Sequence, residues 1–191
     1  LNKSNFKMGL SSDDLYWAKY PEDKEIAEIN LRGIYSQNYV YWDGVKNAEI
    51  SEKLYGWKKY QGNFQRTYRK ISNLDDMHEN GAHDYLKFIK FGYGRGTDHS
   101  TKDIRLGYMK REEGIEMVKK YDHVKPTKDL TRWLQYVGMS EEKFDKIADT
   151  FRDPRTWYIK NNRWYKQNIW GGESSFGEVY LEKKFRDKFI R

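Results

Sequence analysis

The sequence contains no cysteine and three prolines. Without cysteine the chain cannot form a disulfide bond, use a thiolate nucleophile or build a cysteine-based zinc site. No apolar run approaches the roughly 20 residues that a membrane-spanning helix needs. The first residues, from Leu1 to Lys7, also lack the apolar region of a signal peptide. We therefore expect no transmembrane span and a cytoplasmic location.

Apolar residues are scarce and aromatic residues are plentiful. Hydrophobic residues make up 37% of the chain and aromatic residues 17%, so the core must depend on large rings that often carry a polar group. Lys and Arg number 36 against 29 Asp and Glu, a net charge of +7. This balance favours an anionic partner, but it fits nucleic acid, a membrane surface and a nucleotide sugar equally well.

The stretch from Asp84 to Glu113 is the most informative part of the sequence. An apolar and basic helix end runs into the glycine loop Gly92–Gly96, and a polar helix is predicted to restart at Thr97-Asp98. Backbone N–H groups at a helix start, together with nearby cations, can bind an anion. The alternative is a solvated turn, because GxGxG without a preceding strand is not a dinucleotide fingerprint. The charged residues expected around this turn are Lys90, Arg95, Lys102 and Arg105, with Asp98 and Asp103 among them.

Three segments of the chain resemble one family in the same order. The run KFGYGRGTDHSTKDIRLGYMKREEGIEMVKKYDH, from Lys90 to His123, resembles the C-terminal signature of the N-acetyl sugar amidotransferases of bacterial surface-polysaccharide biosynthesis. Upstream, IYSQNYVYWDGVKNAEISEKLYGWK (34–58) resembles the family's element with a Trp-Asp-Gly turn, and 130–157 resembles its closing helices. A shared order of several long segments is more specific than any single short motif.

This resemblance implies an ATP-dependent enzyme of the PP-loop ATPase type in lipopolysaccharide and O-antigen biosynthesis. Such enzymes use ATP and Mg²⁺ to adenylate the acetamido oxygen of a nucleotide-linked N-acetyl sugar. Ammonia from a glutaminase subunit then displaces AMP and leaves an acetamidino group.

The family's ATP-binding loop, Ser-Gly-Gly-x-Asp-Ser, does not occur in this sequence. We therefore expect the chain to be the C-terminal portion of such an enzyme and to be inactive alone. The run Trp170–Ser175 echoes that loop, but Tyr165–Ile169 before it is a poor buried strand, so a glycine-rich turn is predicted there.

The pattern predicts a mainly α-helical α+β fold, a helical bundle with a small β element, as the C-terminal part of a larger α/β enzyme. Residues 1–60 are expected to form a connector, 61–155 the helical amidotransferase region, and 156–191 a hairpin and basic tail. The β element is placed at Ile34 to Trp42, and the hairpin turn at Asn161-Asn162. Helices are predicted for 45–54, 74–91, from 111, after Pro126 and after Ser140.

The resemblance and the charge clustering lead to one hypothesis for the site. Lys90, Arg95 and Arg105 would hold phosphate or nucleotide-sugar anions, since arginine suits bidentate phosphate binding. Asp98 would orient a cation or a sugar hydroxyl. The structural alternative is that Asp98, Asp103, Arg95 and Arg105 pair with one another and pin two helices. Catalytic residues are not assigned.

No metal site is expected, and a different class of function stays open. His78 and His83 lack the spacing that aligns two ligands on a helix face, and no HExxH run accompanies them. The chain could instead be a non-catalytic interaction module that binds a partner protein or nucleic acid. The basic and aromatic residues of 61–73 could bind nucleic acid, although such segments more often cover apolar surface with long cationic side chains.

Overall fold

The computed structural model describes residues 11, 13–71 and 79–190. The chain divides into two compact units, Leu1–Trp42 and Asp43–Arg191. The boundary lies within the Trp-Asp-Gly turn. Each unit is described by itself below.

The described part of the first unit contains little regular structure. It has one helix, α1 (Asp23–Glu28), and two 3₁₀ turns, Tyr16–Ala18 and Ser36–Asn38. Most of its large apolar side chains are between 64% and 90% exposed, whereas Leu15 and Ile26 are partly buried. The strand predicted at 34–42 is therefore wrong, because the chain there is a 3₁₀ turn flanked by irregular backbone. Aromatic and β-branched residues favour a strand only where a neighbouring strand and a buried face are available.

The described part of the second unit consists of six helices followed by a small sheet. No helix in the described ranges is long and apolar enough to cross a membrane. The helices are α2 (Gly44–Tyr55), α3 (Glu79–Phe91), α4 (Arg95–Arg105), α5 (Arg111–Tyr121), α6 (Thr127–Val137) and α7 (Glu141–Thr150). The strands are β1 (Tyr158–Lys160), β2 (Arg163–Gln167) and β3 (Glu173–Glu178). This architecture confirms the predicted mainly helical fold with a small β element.

Helix α2 shows how local signals set the helix bounds. The Asp43 carboxylate accepts from the backbone N–H of Val45 at 2.9 Å and of Lys46 at 3.2 Å, which satisfies two donors of the first turn. The helix ends at Gly56, whose φ of +67° is the left-handed conformation that glycine adopts readily. Asp43 also accepts from the hydroxyl of Tyr108. The Trp-Asp-Gly turn is thus a helix cap that also ties α2 to the segment after α4.

Helix α3 lies between two hydrophobic cores. Its Phe88 packs with residues of the sheet and the C-terminal segment, whereas the adjacent Ile89 packs against α6 and α7. Both side chains are 2% exposed. The first core comprises Phe88, Trp157, Trp164, Val179, Leu181 and Phe189. The second comprises Ile89, Leu130, Leu134, Phe144 and Ala148.

The sheet is antiparallel, with strand order β1-β2-β3. Asn161 and Asn162 have φ of +51° and +55° and join β1 to β2, which confirms the predicted hairpin turn. The run Trp170–Ser175 supplies the turn into β3, as predicted. After this turn, β3 extends to Glu178 and pairs with β2. Its small and polar residues carry little apolar alternation from which a strand could be predicted.

A buried arginine joins the last helix to the sheet. The guanidinium of Arg152 lies 4.2 Å from the ring centre of Trp157 and 4.6 Å from that of Trp164. Its Nε donates to Asp149 at 2.9 Å, and the same carboxylate accepts from the N–H of Tyr180 at 2.7 Å and of Leu181 at 3.1 Å. Asp149 therefore holds the chain that follows β3 against α7.

Truncation of Leu130 tests the core shared by α3, α6 and α7. Leu130 is 2% exposed, and Leu130→Ala is expected to lower the free energy of unfolding by about 2–5 kcal/mol, because it removes buried methyl groups and leaves a cavity. Denaturant titration followed by circular dichroism measures the change. Tyr136→Ala on the same helix is the control, since Tyr136 is 89% exposed. Equal stability of the two variants would contradict this packing.

Candidate functional site

The start of helix α4 is closed by a carboxylate from elsewhere in the chain. The helix begins at Arg95, two residues before the predicted restart. Asp122, the residue after α5, accepts from the N–H of Gly94 at 2.9 Å and from the N–H of Thr97 at 2.9 Å. The hydroxyl of Thr97 also donates to this carboxylate, at 2.5 Å. The N–H groups that could have bound an anionic ligand therefore bind the protein's own carboxylate.

The glycines of this loop are required by the closeness of Asp122. A Cβ on Gly96 would lie 2.7 Å from the Asp122 Oδ1, and one on Gly94 would lie 2.8 Å from a guanidinium nitrogen of Arg66. Such contacts are too short for a side chain to be accepted without movement. The glycine-rich loop is thus explained by packing around Asp122 and Arg66.

Arg66 lies buried beneath the loop and joins three segments of the chain. Its guanidinium donates to the carbonyl oxygens of Asp84 at 3.1 Å and of Asp122 at 2.6 Å, and also to that of Val124. The side chain is 2% exposed. Burial lowers the pKa of Arg66 to about 10, although the nearby Asp84 and Asp122 charges oppose the shift. Arg66 therefore stays charged at neutral pH and positions the chain before α3 against the middle of α3 and the segment that follows α5.

Arg95, the first residue of α4, forms a bidentate pair with Asp84 of α3. Its Nε lies 3.1 Å and 3.0 Å from the two carboxylate oxygens, and its Nη2 lies 2.7 Å from Oδ1. The Asp84 side chain is 3% exposed and that of Arg95 is 11% exposed. Two parallel charge-assisted hydrogen bonds fix the guanidinium plane. Arg95 is thus a positioned, largely buried cation whose charge is already balanced.

Two further buried polar residues, His99 and Asp103, lie farther along α4. Asp103 accepts from the hydroxyl of Tyr68 and from the guanidinium of Arg69. His99 lies one turn earlier, where its Nδ1 is 2.6 Å from the hydroxyl of Thr67. Burial, together with the positive charges of nearby Arg and Lys side chains, lowers the pKa of His99 to about 3. His99 is therefore a neutral hydrogen-bonding group at physiological pH.

The four site residues predicted from the sequence lie in different environments. Arg95 and Arg105 occupy opposite ends of α4, about 15 Å apart along the helix axis at 1.5 Å per residue. Lys90 and Arg105 are exposed. Asp98 is half-buried and pairs with Lys87 of α3. The structure therefore does not gather them around one turn, since the length of α4 separates Arg105 from the loop.

The structural alternative named the wrong partners. Arg95 pairs with Asp84, Asp98 with Lys87, and Asp103 with Arg69. Each of these three charges on α4 thus contacts α3 or the segment that precedes it, and α4 has no ion pair within itself in the described contacts. These pairs pin α4 to its neighbours as the alternative expected, but through other residues.

The buried and largely buried polar residues described above form one charged cluster, made up of Arg66, Arg69, Asp84, Arg95, His99, Asp103 and Asp122. A small cavity adjoins this cluster. Its volume is about 10 Å³, which is enough for one water molecule. It cannot hold a sugar or a nucleotide. Within the described ranges, no three His, Asp or Glu side chains are grouped so that they could hold a metal ion. The cavity is lined by Phe64, Gln65, Arg66, Thr67, Gly81, Asp84, Arg95 and Asp129.

The sequence pattern does not predict which residues of the charged cluster are buried. Arg66 and Arg69 were noted only as part of a basic and aromatic segment, and Asp84 and Asp122 only as members of the longer runs that contain them. Arg66 and Asp122 are separated by 56 positions, so no helical or strand period relates them. The spacing of Arg66 and Arg69 with Tyr68 was the one available signal, and it is equally typical of an amphipathic surface.

Replacement of Arg95 separates a structural from a surface role. Arg95→Gln leaves the Asp84 carboxylate buried without a cation, and we expect a loss of roughly 3 kcal/mol in the free energy of unfolding. Thermal and denaturant unfolding of the ligand-free protein measure it. Arg105→Gln is the matched control, because Arg105 is an exposed arginine of the same helix and should change stability little. If Arg95→Gln were as stable as Arg105→Gln, the Arg95–Asp84 pair would not support the fold.

His99 should make stability depend on pH. Its pKa in the folded state, about 3, lies below the ordinary value of 6.5, so the unfolded chain binds a proton that the folded chain does not. The stabilising contribution is complete above pH 6.5 and is lost as the pH falls. We expect a loss of roughly 1–2 kcal/mol between pH 6.5 and pH 5.

Urea unfolding across this pH range, compared with His99→Gln, isolates the effect of the histidine. The variant has no imidazole to protonate, so its stability should fall less steeply than that of the wild type. Parallel pH profiles for the two proteins, or an NMR titration of the His99 ring between pH 5 and pH 7, would contradict the buried neutral state.

Comparison with known proteins identifies the family of this chain. The sequence model of the family described as LPS biosynthesis protein WbpG-like, C-terminal domain, matches residues 53–169. That range includes every residue of the charged cluster, and it includes the helices α3 and α4 that the Arg95–Asp84 pair joins. A search of curated proteins gave no significant match. Since the match covers more than half of the sequence, the chain belongs to the family of WbpG-like C-terminal domains of LPS biosynthesis proteins.

Proposed function

We propose that this chain is the substrate-side domain of an ATP-dependent N-acetyl sugar amidotransferase in O-antigen biosynthesis. The observation that carries the proposal is the family match over 53–169, which contains two of the three segments that resemble those amidotransferases. The reaction would convert the acetamido group of a nucleotide-linked sugar to an acetamidino group, with ammonia delivered by a glutaminase subunit.

ATP and Mg²⁺ would be bound by another part of the enzyme. The helix start that could have cradled a phosphate is occupied by Asp122, and the described residues offer no carboxylate group suited to a metal ion. The described residues at this loop therefore do not fit ATP and Mg²⁺. The task left to this chain is to bind the nucleotide sugar and orient it.

The exposed cations of the predicted set suit that task best. Lys90 and Arg105 have no ion-pair partner among the described residues, so both can meet a phosphate without first breaking an internal pair. Arg95 would act from below by keeping the α3–α4 loop in place through Asp84. Asp98, paired with Lys87, would fix the orientation of the first turn of α4. In this proposal the buried charges hold the surface, and the exposed charges bind the substrate.

The deciding experiment is a reconstituted assay. The 191-residue chain is supplied with ATP, Mg²⁺, ammonium and a panel of UDP-linked N-acetyl sugars, with and without the ATP-binding domain of a WbpG-like protein. AMP and pyrophosphate release are measured, and mass spectrometry detects replacement of the acetamido oxygen by nitrogen. We expect turnover only when both domains are present. Absence of the acetamidino product from the complete mixture would overturn the proposal.

Single substitutions in that assay test the surface cations. Lys90→Gln and Arg105→Gln should each raise the KM for the nucleotide sugar about tenfold, the effect of losing one charge-assisted contact worth about 1.4 kcal/mol. Lys143→Gln is the control, because Lys143 is an exposed lysine on α7. An unchanged KM in both variants would remove these two residues from the substrate site.

A second function is supported by the first unit. Several of its aromatic side chains are exposed, such as Trp17 at 90% and Tyr20 at 78%, and aromatic residues are enriched at protein–protein contacts. The chain would then be an interaction module that docks a partner subunit. The same reconstituted assay separates the two functions. A stable complex that forms without any dependence of turnover on Lys90 or Arg105 would favour the interaction module.

A further inference from the structure

Two aromatic rings and two lysines form an exposed surface where α3 ends. Phe91 is 48% exposed and Tyr93 is 41% exposed, and their ring centres lie 6.0 Å apart with an interplanar angle of 33°. The Nζ of Lys87 lies 4.7 Å from the Tyr93 ring centre, and that of Lys90 lies 5.0 Å from the Phe91 ring centre. We call these four residues the α3 platform. Large rings that stay accessible beside cations are suited to a ligand that has both a flat face and a negative charge.

The platform is held in place from below. Gly92, between the two rings, has a φ of +76°, and a Cβ there would lie 2.5 Å from Thr156. The turn is therefore tightly packed and sets the direction in which both rings leave the backbone. Lys87 is fixed by its ion pair with Asp98. A surface that is already ordered loses less conformational entropy when a ligand binds.

The charges distinguish the platform from an ordinary apolar patch. Lys87 is balanced by Asp98, whereas Lys90 is exposed and has no ion pair in the described contacts. A bound phosphate can therefore reach Lys90 without displacing a carboxylate. A base stacked on a ring, with its phosphates beside an ammonium group, uses both features, since every nucleobase has a flat face that stacks on aromatic side chains.

We propose that the α3 platform binds the nucleoside diphosphate half of the substrate, with the base stacked on Tyr93 and Phe91 and the phosphates beside Lys90. The inference rests on the proposed function, because it assigns the nucleotide of the nucleotide-linked sugar to named residues. Arg95 comes two residues after Tyr93, and its ion pair with the buried Asp84 sets the position of the loop. The sugar would then extend from the platform along the surface of α4.

UDP binding to the 191-residue chain tests the platform without any turnover. In a ¹⁵N NMR titration, UDP should shift the amide signals of Gly92 and Gly94. Tyr93→Ala should weaken UDP binding at least fivefold, the smaller effect of losing one base–aromatic stack. Tyr180→Ala, at 42% exposure against 41% for Tyr93, should leave the affinity unchanged.

Phe91 has an equally close control. Phe185 is also 48% exposed, and the Nζ of Lys184 lies 4.8 Å from its ring centre. If the platform is a nucleotide site, Phe91→Ala weakens UDP binding and Phe185→Ala does not. Equal effects of the two substitutions would show that any exposed ring beside a lysine behaves in this way, and the proposal would fail.

Other ligands decide which chemistry the platform recognises. Inorganic pyrophosphate has the charge of UDP without the base, and we expect it to bind much more weakly. Binding of UDP and pyrophosphate with equal affinity, insensitive to Tyr93→Ala, would reduce the platform to a charged surface. Vesicles containing anionic phospholipid are the second comparison. Vesicle binding that depends on Tyr93, with no UDP binding, would identify a membrane-contacting surface instead and overturn the proposal.

The outcomes separate this inference from the proposed reaction. If the reconstituted enzyme forms the acetamidino product but UDP does not bind at the platform, only the nucleotide subsite is wrong. If UDP binds in a manner that depends on Tyr93 and Phe91 but no amidino product forms, the subsite stands and the reaction must be revised.

Discussion

The carboxylate of Asp122 is the contact on which the charged cluster depends. Asp122 follows α5, and its carboxylate accepts hydrogen bonds from free N–H groups at the start of α4. The backbone carbonyl of the same residue accepts from Arg66. A helix start attracts negative charge through its unpaired N–H groups and its dipole. Here the negative charge is the protein's own Asp122, which brings α4 and α5 together. The same contact fixes the direction of the Arg95 side chain, because Gly94 and Thr97 on either side of it are held. The glycine loop is the consequence, because only glycine allows the carboxylate and the guanidinium to approach so closely.

The charges around α4 divide into a buried set that supports the fold and an exposed set available for binding. Buried ions are tolerated because each has a partner with good geometry, as the Arg95–Asp84 pair illustrates. This arrangement resolves an ambiguity of the sequence, in which a cation-rich glycine loop could equally be a ligand site or a packing device. The loop itself is a packing device, and Lys90 beside it is exposed.

Elements defined by local chemistry could be predicted well. The α2 helix was recognisable from Asp43 before it and Gly56 after it, and α5 to α7 from apolar stripes and caps, as was the hairpin at Asn161-Asn162. Elements that depend on a distant partner could not. The aromatic run 34–42 favours a strand only if another strand pairs with it, and β3 exists because β2 lies beside it. The start of α4 moved to Arg95 because Asp122 caps it from another helix.

The sequence by itself determined the helical character of the chain, its family resemblance and the cation-rich loop between α3 and α4, because periodicity, caps and motifs act over a few neighbouring residues. Only the tertiary structure decided which charges are buried. Arg66, Asp84, Arg95 and Asp122 come together from four separate segments, and no spacing along the chain encodes their distances. Burial and pairing are properties of packed neighbours, so the division between supporting and available charges could be read only from the fold.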